Sequence, residues 1–303
     1  MGTDFYRQIT NKQNTKYNNI THNTTNFVDD STSTILFPNT SNINKYMTDY
    51  YDLLQAYYNT NKLQLNPDKS KYIIVAKPKH NNNTKHLYFM ADKHKIKPSN
   101  YIKILGTYIR KDLKLDTEIG HLTGQLHNRI HNIKKLTQYT NFTTRLNLLN
   151  AIVIGKLIYM VPLYMNATLL LRNKLHKLLM TAARTAIGNY CPSKSITYIL
   201  QKCNWECIDD RISHASITSI HKIICTNNVP SLRDKYRISG NKRACTKLAL
   251  KYTPKTEKFK KFFINKALTL YNDVPNEVKA LKCKNFKIKL KEHIREQTHD
   301  SYD

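Results

Sequence analysis

A mixed α+β fold, with short strands first and helices after, is what the apolar patterning of this chain predicts. Three observations carry that expectation. Up to about residue 116 the apolar residues come in short runs of strand character, from Phe27-Val28 to residues 102 to 109. From Ile119 onward they recur at helical spacing, at Leu122, Leu126, Ile130 and Ile133, and helical spacing dominates to the end. A hydrophobic fraction of 40% in 303 residues supports a sizeable core and permits two domains.

Residues 1 to 26 are dominated by Asn and Thr and lack apolar periodicity, so a disordered leader over residues 1 to 24 is expected. Next, the adjacent carboxylates Asp29 and Asp30 follow Phe27-Val28 and precede Ser31-Thr32-Ser33-Thr34-Ile35, which reads as a β-hairpin with acid at its turn. Crowding two like charges is unfavourable unless a cation neutralises them, and oxygen ligands of this kind suit Mg²⁺ or Mn²⁺. In a basic protein such a site points to phosphate chemistry, although an isolated Asp-Asp is more often a solvated turn.

Tyr46, Tyr50, Leu53, Leu54 and Tyr57 then supply a helical face, and residues 63 to 75 change to a loop and a strand. Leu87-Tyr88-Phe89-Met90 and residues 102 to 109 read as two further strands joined by a Lys-rich turn around His94 to Pro98. Residues 148 to 171 form the most apolar window, but Lys156 near its middle and Pro162 argue against a membrane span and for a buried helix ending before Pro162. Leu171, Leu175, Leu178, Leu179 and Ala182 continue as an amphipathic helix. Phe259, Phe262, Phe263 and Leu268 form one later apolar segment, and Phe286, Leu290 and Ile294 another.

The charge is lopsided. Lys and Arg number 49 against 21 Asp and Glu, a formal charge of +28, and the partner such a field suits best is nucleic acid. Residues 1 to 40 are balanced, whereas residues 231 to 303 hold 19 basic and 8 acidic side chains. Lys258, Lys260, Lys261, Lys287, Lys289 and Lys291 are the candidate phosphate contacts, against the plainer reading of each single lysine as part of a solvated helix face.

The six cysteines have no close regular spacing and no secretory signal precedes them, so a reducing, intracellular setting is expected. Cys203, Cys207 and His214 with His221 or Cys225 are a conceivable zinc set, but Ile208, Ile212, Ala215, Ile220, Ile223 and Ile224 give this segment a helical pattern that strings those side chains out.

Three blocks fall in a recognisable order: Phe27-Val28-Asp29-Asp30, then Leu63-Gln64-Leu65-Asn66-Pro67-Asp68-Lys69-Ser70, then Leu105-Gly106. Together they resemble the C-terminal half of the reverse transcriptases of non-LTR retrotransposons, the jockey-like group in particular, with a Tyr/Phe-X-Asp-Asp hairpin, a Leu-X-Leu-Asn-X-X-Lys-Ser/Thr motif and a Leu-Gly primer grip. The resemblance continues through Thr144-Arg145-Leu146, Tyr271-Asn272-Asp273-Val274-Pro275 and Phe286-Lys287-Ile288-Lys289-Leu290-Lys291, covering nearly everything after residue 24.

That resemblance implies a partial palm over residues 25 to 116, a helical thumb-like region over 117 to 230 and a basic helical region over 231 to 303. It implies RNA-directed DNA polymerisation with RNA template and DNA primer, by a two-metal mechanism with Mg²⁺ or Mn²⁺. Asp29 and Asp30 would serve as metal ligands, and Lys69 would neutralise charge on the departing pyrophosphate. Leu105 and Gly106 would form the primer grip, where the missing Cβ of Gly106 allows a close approach or a turn.

The family's earlier palm aspartate and Pro-Gln-Gly-type region have no counterpart, since Asp4 is the only acid before Asp29. The chain is therefore expected to be inactive alone and to need an upstream polymerase fragment. A non-catalytic nucleic-acid-binding relic is the alternative.

Overall fold

The computed structural model describes residues 20–27, 30–39, 41–76, 86–92, 94–188, 195–226, 229–238, 247–260 and 262–299. It is a mixed α+β chain, as the patterning predicts, and it divides into two compact units, Met1–Lys114 and Leu115–Asp303.

In the first unit, β1 (Thr21–Phe27) and β2 (Asp30–Leu36) form an antiparallel hairpin in which Phe27 pairs with Asp30. The expected disordered leader is thus corrected over residues 20 to 24, where Ile20 and His22 are buried and β1 has begun. Helix α1 (Ile43–Thr60) covers this hairpin. Ile20, Tyr46 and Tyr50 form a small core, flanked by half-buried Ile35, Phe37, Leu53 and Leu54.

What ties the strands to the helix is largely polar. Tyr46 OH lies 2.9 Å from His22 Nδ1, Thr24 Oγ1 lies 2.8 Å from Ser33 Oγ across the strands, and Ser33 Oγ lies 2.6 Å from Tyr50 OH. An Asn/Thr-rich strand can fold here because hydroxyls replace the apolar surface it lacks.

The opposite side of α1 buries Tyr51 against Phe89 and Ala91, with Met47, Leu65, Tyr72 and Ile96 packed around them. Strand β3 (Phe89–Ala91) hangs on α1 through side-chain acceptors, with Tyr88 N–H donating to Asn44 Oδ1 at 3.1 Å and Met90 N–H to Thr48 Oγ1 at 3.1 Å. Its antiparallel partner is β4 (His94–Ile96), so the segment expected to be a Lys-rich turn is a strand. Residues 102 to 109, expected as one strand, are a further hairpin, β5 (Tyr101–Ile104) with β6 (Thr107–Arg110). The strand expected before Val75 does not form. Ser99 N–H reaches Tyr72 O at 2.8 Å, a single bond that no ladder extends among the described residues.

The second unit is built mainly of helices around one core. Helix α2 (Asp116–Lys135) buries Ile119, Leu122, Leu126, Ile130 and Ile133, with Asp116 and Glu118 in its first turn and Lys134 and Lys135 in its last, as the helix dipole favours. Helix α3 (Phe142–Leu149) runs through a π-helical stretch, Asn150–Ile154, into α4 (Gly155–Ile158). The helix does end before Pro162, which opens a 3₁₀ turn, Val161–Asn166.

Helix α5 (Leu169–Ile187) starts on Thr168, whose hydroxyl accepts from Leu171 N–H, and stops at Gly188 with φ 83°. It buries Leu171, Leu175, Leu178, Leu179 and Ala182 on one face. After α6 (Ile196–Lys202), helix α7 (Ile208–Thr226) runs through the core and packs on α5, on Val161–Asn166 and on two later helices, α10 (Phe263–Asp273) and α12 (Cys283–His299). Between α7 and α10 lie α8 (Pro230–Arg233), a hairpin of β7 (Tyr236–Ile238) with β8 (Leu248–Leu250), and α9 (Glu257–Lys260); α11 (Asn276–Lys279) precedes α12. The β7–β8 hairpin has no counterpart in the sequence expectation.

Two sequence blocks of the second unit prove to be joints. Arg145, 7% exposed, donates from Nε to Ala186 O at 2.9 Å and from its terminal nitrogens to Thr137, Thr140 and Ile187 carbonyls. It thereby bonds carbonyls near the ends of two helical segments, where intrahelical partners run out. Asn272 clamps the β8 backbone through two bonds to Leu248, both 2.9 Å, and Tyr271 and Val274 beside it are buried.

Candidate nucleic-acid interface

At the closed end of the first hairpin, Asp30 is exposed and stands opposite Phe27, which is 59% exposed. Asp29 lies outside the described residues. Asp30 therefore stands at the end of a hairpin. Two-metal chemistry needs several carboxylates converging on the ions. Among the described residues no group of three possible ligand side chains gathers around Asp30, so those residues alone do not make up a Mg²⁺ site.

Lys69 is exposed in a turn shaped by Asn66, whose Oδ1 accepts from Asp68 N–H at 3.0 Å and from Lys69 N–H at 3.3 Å. Ser70 Oγ donates back to Asn66 O at 3.0 Å. The polar residues of this motif thus hold their own loop.

Leu105 and Gly106 form the two-residue loop of the β5–β6 hairpin, with φ of 46° and 84°. Positive φ at both central positions is what a type I′ turn requires, and it is unfavourable for a side chain such as Leu. Leu105 is also 42% exposed. Among the described residues the first unit's hairpins are separate two-stranded sheets, and there Leu105 and Gly106 share no sheet with Asp30.

The basic residues lie mostly in the second unit, which holds 32 Lys and Arg against 13 Asp and Glu. Helix α12 buries Phe286, Leu290 and Ile294 and leaves Lys287 and Lys289 exposed and Lys291 half-buried. Lys289 Nζ pairs with Glu292 at 2.8 Å, which raises its pKa, and Lys291 Nζ lies 3.8 Å from Glu206. Lys260 Nζ pairs with Glu257 at 2.6 Å. The two exposed pairs, Lys289 with Glu292 and Lys260 with Glu257, hold little energy, so a phosphate could displace them. Lys261 and the side chain of Lys258 lie outside the described set.

The zinc expectation resolves into separate contacts. Cys203 Sγ lies 3.8 Å from Ala183 O, Cys207 Sγ accepts from Asp210 N–H at 3.4 Å, and His214 Nε2 donates to Lys287 O at 3.1 Å. Burial pushes the Cys203 thiol up to about 11 and the Cys207 thiol up to about 12, so both stay protonated near neutral pH.

Among the described residues, the group that does converge is His221, Cys225 and Cys283, whose ligating atoms lie within 4.8 Å of one another. Sequence spacing missed this trio because Cys283 comes from another helix. Both ring nitrogens of His221 already have partners, Tyr271 OH at 3.3 Å and Leu281 O at 3.1 Å, and the ring stacks on Phe286 at 3.6 Å. Burial and the neighbouring Cys283 raise the Cys225 pKa, so this cluster reads as a packed joint between α7 and the start of α12.

Among the described residues, no helix is long and apolar enough to cross a membrane. Compared with known proteins, the chain matches no family profile, no curated protein and no solved structure.

Proposed function

We propose that this chain is the downstream part of a reverse transcriptase of the non-LTR, jockey-like kind. On this reading it holds RNA/DNA hybrid or duplex on its basic helical unit and makes no DNA on its own. The observation that carries the reading is the hairpin end at Phe27 and Asp30, the geometry a Phe-X-Asp-Asp motif needs, in a chain whose motif blocks follow the family's order. The charge of +28 supports the nucleic-acid partner.

Primer extension tests it. With Mg²⁺ or Mn²⁺, the isolated chain should extend an RNA-templated DNA primer at background. A matching upstream fragment should restore synthesis, which Asp29→Ala should abolish and Asp30→Ala should severely reduce. Robust extension by the isolated chain that survives loss of Asp29 would sink the site assignment. Robust extension that requires Asp29 would instead show that the chain suffices by itself.

A second reading, a non-catalytic nucleic-acid-binding relic, draws on the absence of a converging ligand group around Asp30 among the described residues. Hybrid binding without any restoration of synthesis by the upstream fragment would favour it.

A further inference from the structure

The second unit contains a cavity of about 310 Å³ beside the π-helical stretch Asn150–Ile154. Its wall includes Leu146, Asn150, Trp205, Glu206, Arg211 and Lys291, and α3, α7, α12 and the loop before α7 all contribute. Apart from Leu146 and Lys291, its lining lies outside the motif blocks that support the polymerase reading, and π-helical irregularities often accompany functional sites.

Arg211 is fixed at one end only. Its Nε donates to Glu206 O at 3.0 Å, while among the described residues its terminal nitrogens have no hydrogen-bond partner. Burial lowers the Arg211 pKa and the Glu206 carboxylate opposes that effect, yet a guanidinium stays charged under any ordinary condition. In the same lining, the amide of the exposed Asn150 has a determined orientation. The indole of Trp205 is a donor only, so its 2.9 Å bond must end on Asn150 Oδ1, and the Asn150 amide nitrogen remains a donor with no partner among the described residues.

Lys291 adds a second cation to the wall, and Arg295 holds Asn204, another lining residue, at 2.8 Å. Against these stands a single carboxylate, Glu206, whose side chain is 11% exposed and lies 3.8 Å from Lys291 Nζ. The lining thus carries an excess of positive charge and of donors without protein partners among the described residues, in a concave setting open to solvent, and such donors make charge-assisted hydrogen bonds to an oxyanion. Leu146, Ile154 and Trp205 add an apolar wall, and the volume exceeds what a bare oxyanion fills.

We propose that this cavity binds a phosphate group, free or carried by a ligand of mononucleotide size, through the Arg211 fork, Lys291 and the Asn150 amide. The proposal goes beyond the polymerase reading and does not depend on it.

Trp205 is the only tryptophan in the chain, so its fluorescence reports on this cavity alone. The full chain would be titrated with inorganic phosphate and with adenosine 5′-monophosphate, using adenosine and NaCl of matched ionic strength as controls. The expected result is a saturable change in Trp205 emission with a phosphate-bearing probe and none with the controls. Equal affinity for both probes would identify the free anion as the ligand, and tighter binding of the monophosphate would identify the nucleotide. Arg211→Gln should weaken binding by about tenfold or more, the loss of one hydrogen bond to a charged group.

Lys291→Gln leaves the Arg211–Glu206 bond in place and should weaken binding several-fold, so it decides the matter if circular dichroism shows Arg211→Gln misfolded. Absence of a saturable response to either phosphate probe, an equal response to adenosine or NaCl, or unchanged affinity in the folded variants would overturn the proposal. Hybrid binding, read separately from the anisotropy of a labelled duplex, can fail or succeed without affecting this result.

Discussion

Removing the Arg145 guanidinium would strand the carbonyls of Thr137, Thr140, Ala186 and Ile187 at two helix ends. Arg145→Met should therefore lower the stability of the helical unit by at least about 3 kcal/mol, because each buried acceptor left unmade costs about 1–3 kcal/mol. Urea denaturation followed by far-UV circular dichroism checks this, and a loss under 1 kcal/mol would show that water replaces the side chain. Gly188 belongs to the same joint. Its φ is 83°, and a Cβ there would meet Arg145 Nη2 at 2.6 Å. Gly188→Ala should cost roughly 2–4 kcal/mol, combining left-handed strain with displacement of Arg145.

His22 offers a pH-dependent test at the same scale. Burial lowers its pKa from 6.5 to about 4, with Tyr46 OH and Thr24 Oγ1 as its polar neighbours. A folded-state value below the unfolded one means that the unfolded chain takes up a proton first as pH falls. Stability should be unaffected by this group above pH 6.5 and should decline between 6.5 and 4, by on the order of 2–3 kcal/mol in total. The His22 ring should stay neutral to about pH 4 in an NMR titration. The decline in urea midpoint over that range should shrink in His22→Gln, and an equal decline would assign it to other groups.

Within the elements, glycines and turns give opposite signs for similar changes. Gly120 and Gly124 lie inside α2, and a Cβ at either meets nothing within 4 Å. Alanine at each should stabilise the helix by about 0.5–1 kcal/mol, since only the entropy of glycine is removed. The β5–β6 loop is strained in the other sense. Leu105 adopts φ 46° where Asn or Gly is at ease, so Leu105→Asn should raise stability by roughly 1 kcal/mol. If Leu105 touches a primer, that gain should come with weaker hybrid binding. Thermal unfolding and hybrid anisotropy, measured on the same variant, separate the two roles.

For the molecule as a whole, the basic excess predicts electrostatic, sequence-tolerant binding. Affinity for RNA/DNA hybrid should fall steeply with salt as counterions are released. Replacing Lys258, Lys260, Lys261, Lys287, Lys289 and Lys291 by Gln should flatten the logarithmic salt slope by about one for each lysine that contacts phosphate. An unchanged slope would return those side chains to a solvated face, three of them simply paired with Glu257, Glu292 and Glu206.

The sequence by itself determined the α+β class, the hairpin with acid at its end, and the helical second half with its stripes at Ile119 to Ile133 and Leu171 to Ala182. These were legible because they rest on local periodicity and turn chemistry, which neighbouring residues encode. Tertiary structure decided what depends on partners far along the chain. Thr21–Phe27 is held as a strand by its pairing with Asp30–Leu36 and by the bonds of His22 and Ser33 to Tyr46 and Tyr50 of α1, and no apolar period announces that. The grouping of His221, Cys225 and Cys283, and the cavity joining Asn150, Arg211 and Lys291, bring together groups from helices distant in sequence. Spacing along a single helix cannot encode such meetings, because the angle and register at which two helices pack are set by the whole apolar surface that they bury together.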